Sequence, residues 1–163
     1  MFHFTSIRST YSSTGCKGGF TQTAFTEVKN AGGITFADYY PYNISAPTCN
    51  PKKNDYTVTV IDSYRIVEEQ AMIDHVLAGG TLSVCVDATK WNDYRSGIFT
   101  DCGTGSALNI NHAVNIVGVN VDEGYWIIRN SWGTWWGESG YMKLALVRLL
   151  LRIASTAAIN SLI

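Results

Sequence analysis

The chain has 163 residues, a formal net charge of −1, 46% hydrophobic and 15% charged residues, which suits one globular domain or two small ones sharing a core. Its basic residues are scattered, so neither nucleic acid nor an anionic membrane is expected as a partner. Cys16, Cys49, Cys85 and Cys102 are widely spaced, with no C-x-x-C and no Cys/His cluster, so no metal site and no other cofactor is expected.

In chain order, "MFHFTSIRSTYSSTG" lacks a basic leader and a continuous apolar stretch and does not read as a signal peptide. "TQTAFTEVKNAGGI" reads as a helix that Thr21 can cap, with Ala24, Phe25 and Val28 on one face and Gly32-Gly33 ending it. "YYPYNISAPTCNPKKND" holds all the prolines, from Pro41 to Pro51, and reads as an irregular boundary. Its Asn43-Ile44-Ser45 is a glycosylation acceptor pattern and hints at secreted ancestry. "YTVTVIDSYRIV" alternates like a strand. "EEQAMIDHVLAGG" returns to helical period, with Met72, Val76 and Leu77 inward and Gly79-Gly80 as the stop. "TLSVCVDA" reads as a buried strand and "KWNDYRSGIFTDCGTGS" as a loop with at most one helical turn. "HAVNIVGVN", "GYWIIRNSW" and "GYMKLAL" read as three further strands. The tail "LALVRLLLRIASTAAINSLI" is broken by Arg148 and Arg152 and does not qualify as a membrane span. A helix first and strands later make the class α+β with a strand-rich second half.

The chemistry gathers in two of those strands. "HAVNIVGV" and "GYWIIRN", joined by the "NVDEG" turn, form a hairpin in which His112 opens one strand and Asn130 closes the next, so antiparallel pairing brings both to one end. A cysteine or serine nucleophile needs such a pair. An imidazolium lowers a thiol pKa and returns a proton to the leaving amine, while an asparagine amide orients the ring. Trp132 stands where it can cover that hydrogen bond from water. A lone histidine beside an apolar strand is more often structural, and tryptophans are more often core; the combination is what points to catalysis.

"NHAVNIVGV" followed by "YWIIRNSWGTWWGESGYMKL" resembles the papain-like cysteine peptidases, close to the cathepsin L branch. "GCKGGF", "YYPY", "LSVCVDA" and "YRSGIFTDC" resemble further family segments in the right order, and the likeness covers most of residues 14 to 145. The resemblance implies a partial papain-like α+β fold: residues 1–54 as a remnant of the helical left domain, residues 55–145 as the β-barrel-like right domain, and 146–163 as a divergent tail. It implies hydrolysis of peptide or protein substrates through an acyl-enzyme, with His112 as base, Asn130 as orienting residue and Trp132 as its shield. Gly18 and Gly19 would bind substrate backbone in an extended pose. Phe20, Cys85, Asn111 and Ala113 would surround the pocket for the second side chain before the scissile bond. A lysosomal or extracellular setting is implied as well.

The same resemblance leaves the nucleophile unfilled. The family's cysteine stands in a C-G-[SA]-C-[WY] signature about 130–150 residues before the histidine. His112 is closer to Met1 than that, and no such signature occurs in the chain. The expectation is an N-terminally truncated, inactive chain whose missing segment is a partner. Cys16, Cys49 and Cys102 would each lack the partner of a family disulfide. The alternatives are a non-catalytic homologue that binds peptides or a protein partner, and an enzyme using Cys85 or Cys16 as nucleophile.

Overall fold

The two helices among the described residues end on the same chemistry. Helix α1, Thr21–Asn30, closes with Gly32 N–H donating to Lys29 O and Gly33 N–H to Val28 O. Helix α2, Glu69–Leu77, closes with Gly79 N–H donating to Val76 O and Gly80 N–H to His75 O. This paired closure requires a left-handed residue after the helix, which Gly32 (φ 79°) and Gly79 (φ 90°) supply without a Cβ penalty. The computed structural model describes residues 18–42, 69–101 and 109–146, together with the backbone of 154–158. The chain divides into two compact units, residues 1–64 with 160–163, and residues 65–159.

In the first unit, α1 buries Phe25 and Val28, as the helical period predicts. Its cap differs from expectation. Phe20 occupies the N-cap position without a side-chain hydrogen bond, and Thr21 is the first helical residue, its hydroxyl buried and unpartnered. The expected strand over 56–67 lies outside the described residues.

The second unit is α2 and a six-stranded sheet in the order β2-β5-β4-β3-β1-β6. Its strands are β1 Leu82–Val86, β2 Ile98–Phe99, β3 His112–Asn120, β4 Tyr125–Arg129, β5 Tyr141–Ala145 and β6 Ala154–Ala158. β2 runs parallel to β5 and every other pairing is antiparallel. Strands β1, β3, β4 and β5 match the four apolar runs expected of this half. β2 falls in a stretch expected to be loop, because two residues are too short to show alternation.

Alternation decides what each strand buries. Leu82, Val84 and Val86 of β1 face the core with Val114 and Ile116 of β3, and Trp126, Ile128, Met142 and Leu144 continue it. From α2 the core takes Met72 and Val76, whereas Leu77 is 64% exposed rather than inward. At 100° per residue, Val76 lies close to the line of Met72 and Leu77 has turned away from it.

Candidate active site

His112 enters β3 opposite Val86, and its ring lies on the half-buried margin of the core face. Asn130 follows the last residue of β4 and is buried. The hairpin brings them into contact: His112 Nε2 lies 2.8 Å from Asn130 Oδ1. The same oxygen accepts the Ser131 backbone N–H at 2.8 Å. A backbone N–H can only donate, so this end of the Asn130 amide is its oxygen, and His112 Nε2 must carry the proton it shares. In the neutral ring Nδ1 is then the proton acceptor. No described residue hydrogen-bonds to it.

Aromatic rings fix the imidazole plane. Trp132 stacks on it with centroids 5.1 Å apart at 26°, and Trp91 meets it edge-on at 6.4 Å. Trp136 packs T-shaped on Trp132 at 5.2 Å and donates its Nε1–H to Trp91 O at 3.0 Å. Trp91 and Trp136 were not among the expected site residues. Trp91 stands in a stretch without period, and only the tertiary fold carries it to the histidine.

A tight turn supports Asn130 from behind, its N–H donating to Gly140 O at 3.0 Å. Gly137 is required there: at φ 55° an added Cβ would stand 2.5 Å from Tyr141 O. Glu138 ties the turn to the loop before β2. Its Oε1 accepts the Gly97 N–H at 2.8 Å, and its Oε2 lies 3.5 Å from Lys143 Nζ. The Tyr94 hydroxyl donates to Gly97 O at 2.7 Å and accepts the Lys143 N–H at 3.2 Å. Burial, above all, raises the Tyr94 phenol.

The Gly97 N–H above all, helped by Lys143, holds the Glu138 carboxyl below its ordinary value. A depressed carboxylate stabilises the fold fully above its unfolded pKa of about 4.3 and loses that contribution as pH falls through the lower folded value. The Tm advantage of the wild type over Glu138→Gln is therefore expected to shrink between about pH 5 and pH 3. Thermal unfolding across that range checks it; a pH-independent difference would contradict the network.

The remaining expected residues fall in two places. Cys85 and Ala113 are paired partners on β1 and β3, one residue out of step with Val86 and His112, so they lie on the opposite face of the sheet. Burial raises the Cys85 thiol. Neither position nor ionisation suits Cys85 to attack beside His112. Asn111 has both ends of its amide engaged, Oδ1 by Ala88 N–H at 2.9 Å and Nδ2 by Thr89 Oγ1 at 3.0 Å. Gly18, Gly19 and Phe20 precede α1 in the first unit, Gly18 at φ 105° and Phe20 62% exposed. Cys16, Cys49 and Cys102 lie outside the described residues. Among the described residues no group of three acidic, His or Cys side chains could hold a metal, and no helix is long and apolar enough to cross a membrane.

The sequence profile described as papain family cysteine protease matches residues 6–160. The chain is 40% identical over 138 residues to the KDEL-tailed cysteine endopeptidase CEP2 of Arabidopsis thaliana, covering 80% of this chain and 37% of that protein. It is 42% identical over 140 residues to vignain of Vigna mungo, covering 80% and 37%, and 38% identical over 136 residues to cathepsin L 2 of Paramecium tetraurelia, covering 83% and 41%. The chain thus spans well under half the length of these relatives. Among solved structures it is similar to the bromelain protease of Ananas comosus in complex with the E64 inhibitor, with a TM-score of 0.77, 30% identity, and 96% of this chain and 74% of that one covered.

Proposed function

This chain belongs to the papain family of cysteine proteases, and we propose that it supplies the base and orienting residue for peptide-bond hydrolysis, with the nucleophile coming from outside these 163 residues. The single observation that carries the reading is the His112 Nε2···Asn130 Oδ1 contact at 2.8 Å. It reserves Nδ1 for a thiol proton. His112 takes that proton, the thiolate attacks the scissile carbonyl, and the imidazolium gives the proton to the leaving amine. Asn130 holds the tautomer, and Trp132 keeps water from the hydrogen bond. In this reading Gly18 and Gly19 bind substrate backbone. Cys85, Asn111 and Ala113 border the pocket for the second residue before the cut. Cys16, Cys49 and Cys102 are each one half of a family disulfide whose other half comes, like the nucleophile, from outside these 163 residues, and the protein works in a lysosomal or extracellular compartment.

A second reading is a non-catalytic homologue that binds peptides. The observation in its favour is Cys85, the one cysteine among the described residues, which faces away from His112.

Under either reading the 163-residue chain on its own is expected to give no turnover of a fluorogenic dipeptide amide under reducing conditions. Turnover that disappears in Cys85→Ala or Cys16→Ala would place the nucleophile in the chain and overturn this assignment. A fused protein separates the two readings. It joins the cysteine-bearing N-terminal segment of a cathepsin L-like relative to this chain near Thr14 and replaces the residues after Leu144 with that relative's tail. Turnover by the folded fusion supports catalysis, and its absence supports the binding homologue.

A further inference from the structure

We propose that Asp87 is a positioning residue for His112, acting through the Thr89 hydroxyl and the Asn111 amide. The inference rests on the proposed role of His112 as base. It comes from a hydrogen-bond chain whose direction is set at every link.

β1 ends at Val86, whose strand partner is His112, and the chain then turns through Asp87, Ala88 and Thr89. Asn111, the residue before His112, is held against that turn at three points. Its N–H donates to Val86 O at 3.1 Å, its Oδ1 accepts the Ala88 N–H at 2.9 Å, and its Nδ2 donates to Thr89 Oγ1 at 3.0 Å. The Ala88 N–H can only donate, which fixes the Asn111 amide with its oxygen toward Ala88 and its NH₂ toward Thr89. Thr89 Oγ1 must therefore accept, and its own hydrogen has to go elsewhere. It goes to Asp87 Oδ1, 2.5 Å away, which also accepts the Thr89 N–H at 3.0 Å. Asp87 Oδ2 accepts the Asn109 N–H at 3.2 Å.

One carboxylate thus holds the strand entry twice, at Asn109 directly and at Asn111 through Thr89. Foremost the Thr89 hydroxyl, then the Thr89 N–H, holds its pKa below the ordinary carboxylate value. The bonds are exposed to water and so contribute little to stability. Their effect is geometric. They fix the backbone from which the His112 ring is hung, while Asn130 and Trp132 fix the ring itself.

The test uses the folded fused protein and a dipeptide amide. Asp87→Ala and Thr89→Val are expected to lower kcat by about 10- to 100-fold, the scale of an ångström-level misplacement, with KM changed less than about twofold. Their Tm is expected to stay near the parent's. Thr89→Ser, which keeps the hydroxyl, is expected to restore kcat to within about threefold of the parent, a rescue that a merely structural role would not require. Thr89→Val keeps the branched shape while removing the hydroxyl at an exposed position, and it carries the test if Asp87→Ala does not fold. A parental kcat in folded Asp87→Ala or Thr89→Val, with His112→Ala inactive, overturns this inference and leaves the proposed function standing. Activity that survives in His112→Ala overturns the proposed function and this inference with it.

Discussion

In the fused protein, His112→Ala is expected to lower kcat/KM by about 10⁴-fold or more, because removing one member of a catalytic unit removes most of the unit's effect. The geometry gives the reason. Nε2 is committed to Asn130 Oδ1 at 2.8 Å, and Trp132 and Trp91 bracket the ring, so no second orientation of the imidazole competes. No other described histidine can substitute. His75 lies in α2 with its ring against Gly80 and its Nε2 buried and unpartnered. Asn130→Ala removes only the orienting acceptor and should cost less, on the order of 10- to 100-fold, since the ion pair can still form. Trp132→Ala should fall between the parent and His112→Ala by opening the hydrogen bond to water. The order of the three kcat/KM values is the observable. Near-parental activity in His112→Ala would end the assignment of the base.

The largest expected loss of stability is at Trp136. Its side chain is fully buried, it packs on Tyr94 at 5.5 Å and on Trp132 at 5.2 Å, and its Nε1–H satisfies Trp91 O. Truncation to alanine leaves a large cavity and a buried carbonyl without its donor. The expected cost is about 3–5 kcal/mol from the first effect and on the order of 1 kcal/mol or more from the second. That is a large part of the roughly 5–15 kcal/mol holding a domain together. The neighbouring Trp135 is 78% exposed, and Trp135→Ala should change stability by less than about 0.5 kcal/mol. Denaturant unfolding of the two variants side by side checks this. Equal losses at 135 and 136 would contradict the packing described.

These two adjacent tryptophans show where sequence reading stops. The indoles at 132, 135 and 136 look alike in the string "NSWGTWWG", and no period distinguishes a ring that shields the histidine from one that faces water. The turn at Gly133–Gly140 decides it. His112 and Asn130 were legible because strand alternation and one short hairpin suffice to place them at the same end. Leu77 is apolar, yet the 100° step turns it to solvent, and Thr21 is a good capping residue that stands next to the N-cap position rather than in it. Asp87 and Thr89 left no trace at all. Their partners Asn109 and Asn111 are about 20 residues away, and side-chain hydrogen bonds over that interval have no periodic signature.

The most direct measurement is kcat/KM for one fluorogenic dipeptide amide with three proteins: this chain alone, the folded fusion, and the fusion with its donated cysteine replaced by alanine. Turnover is expected from the fusion only. Turnover by the chain alone, or by the cysteine-less fusion, would contradict the claim that His112 and Asn130 serve a nucleophile brought from outside these residues.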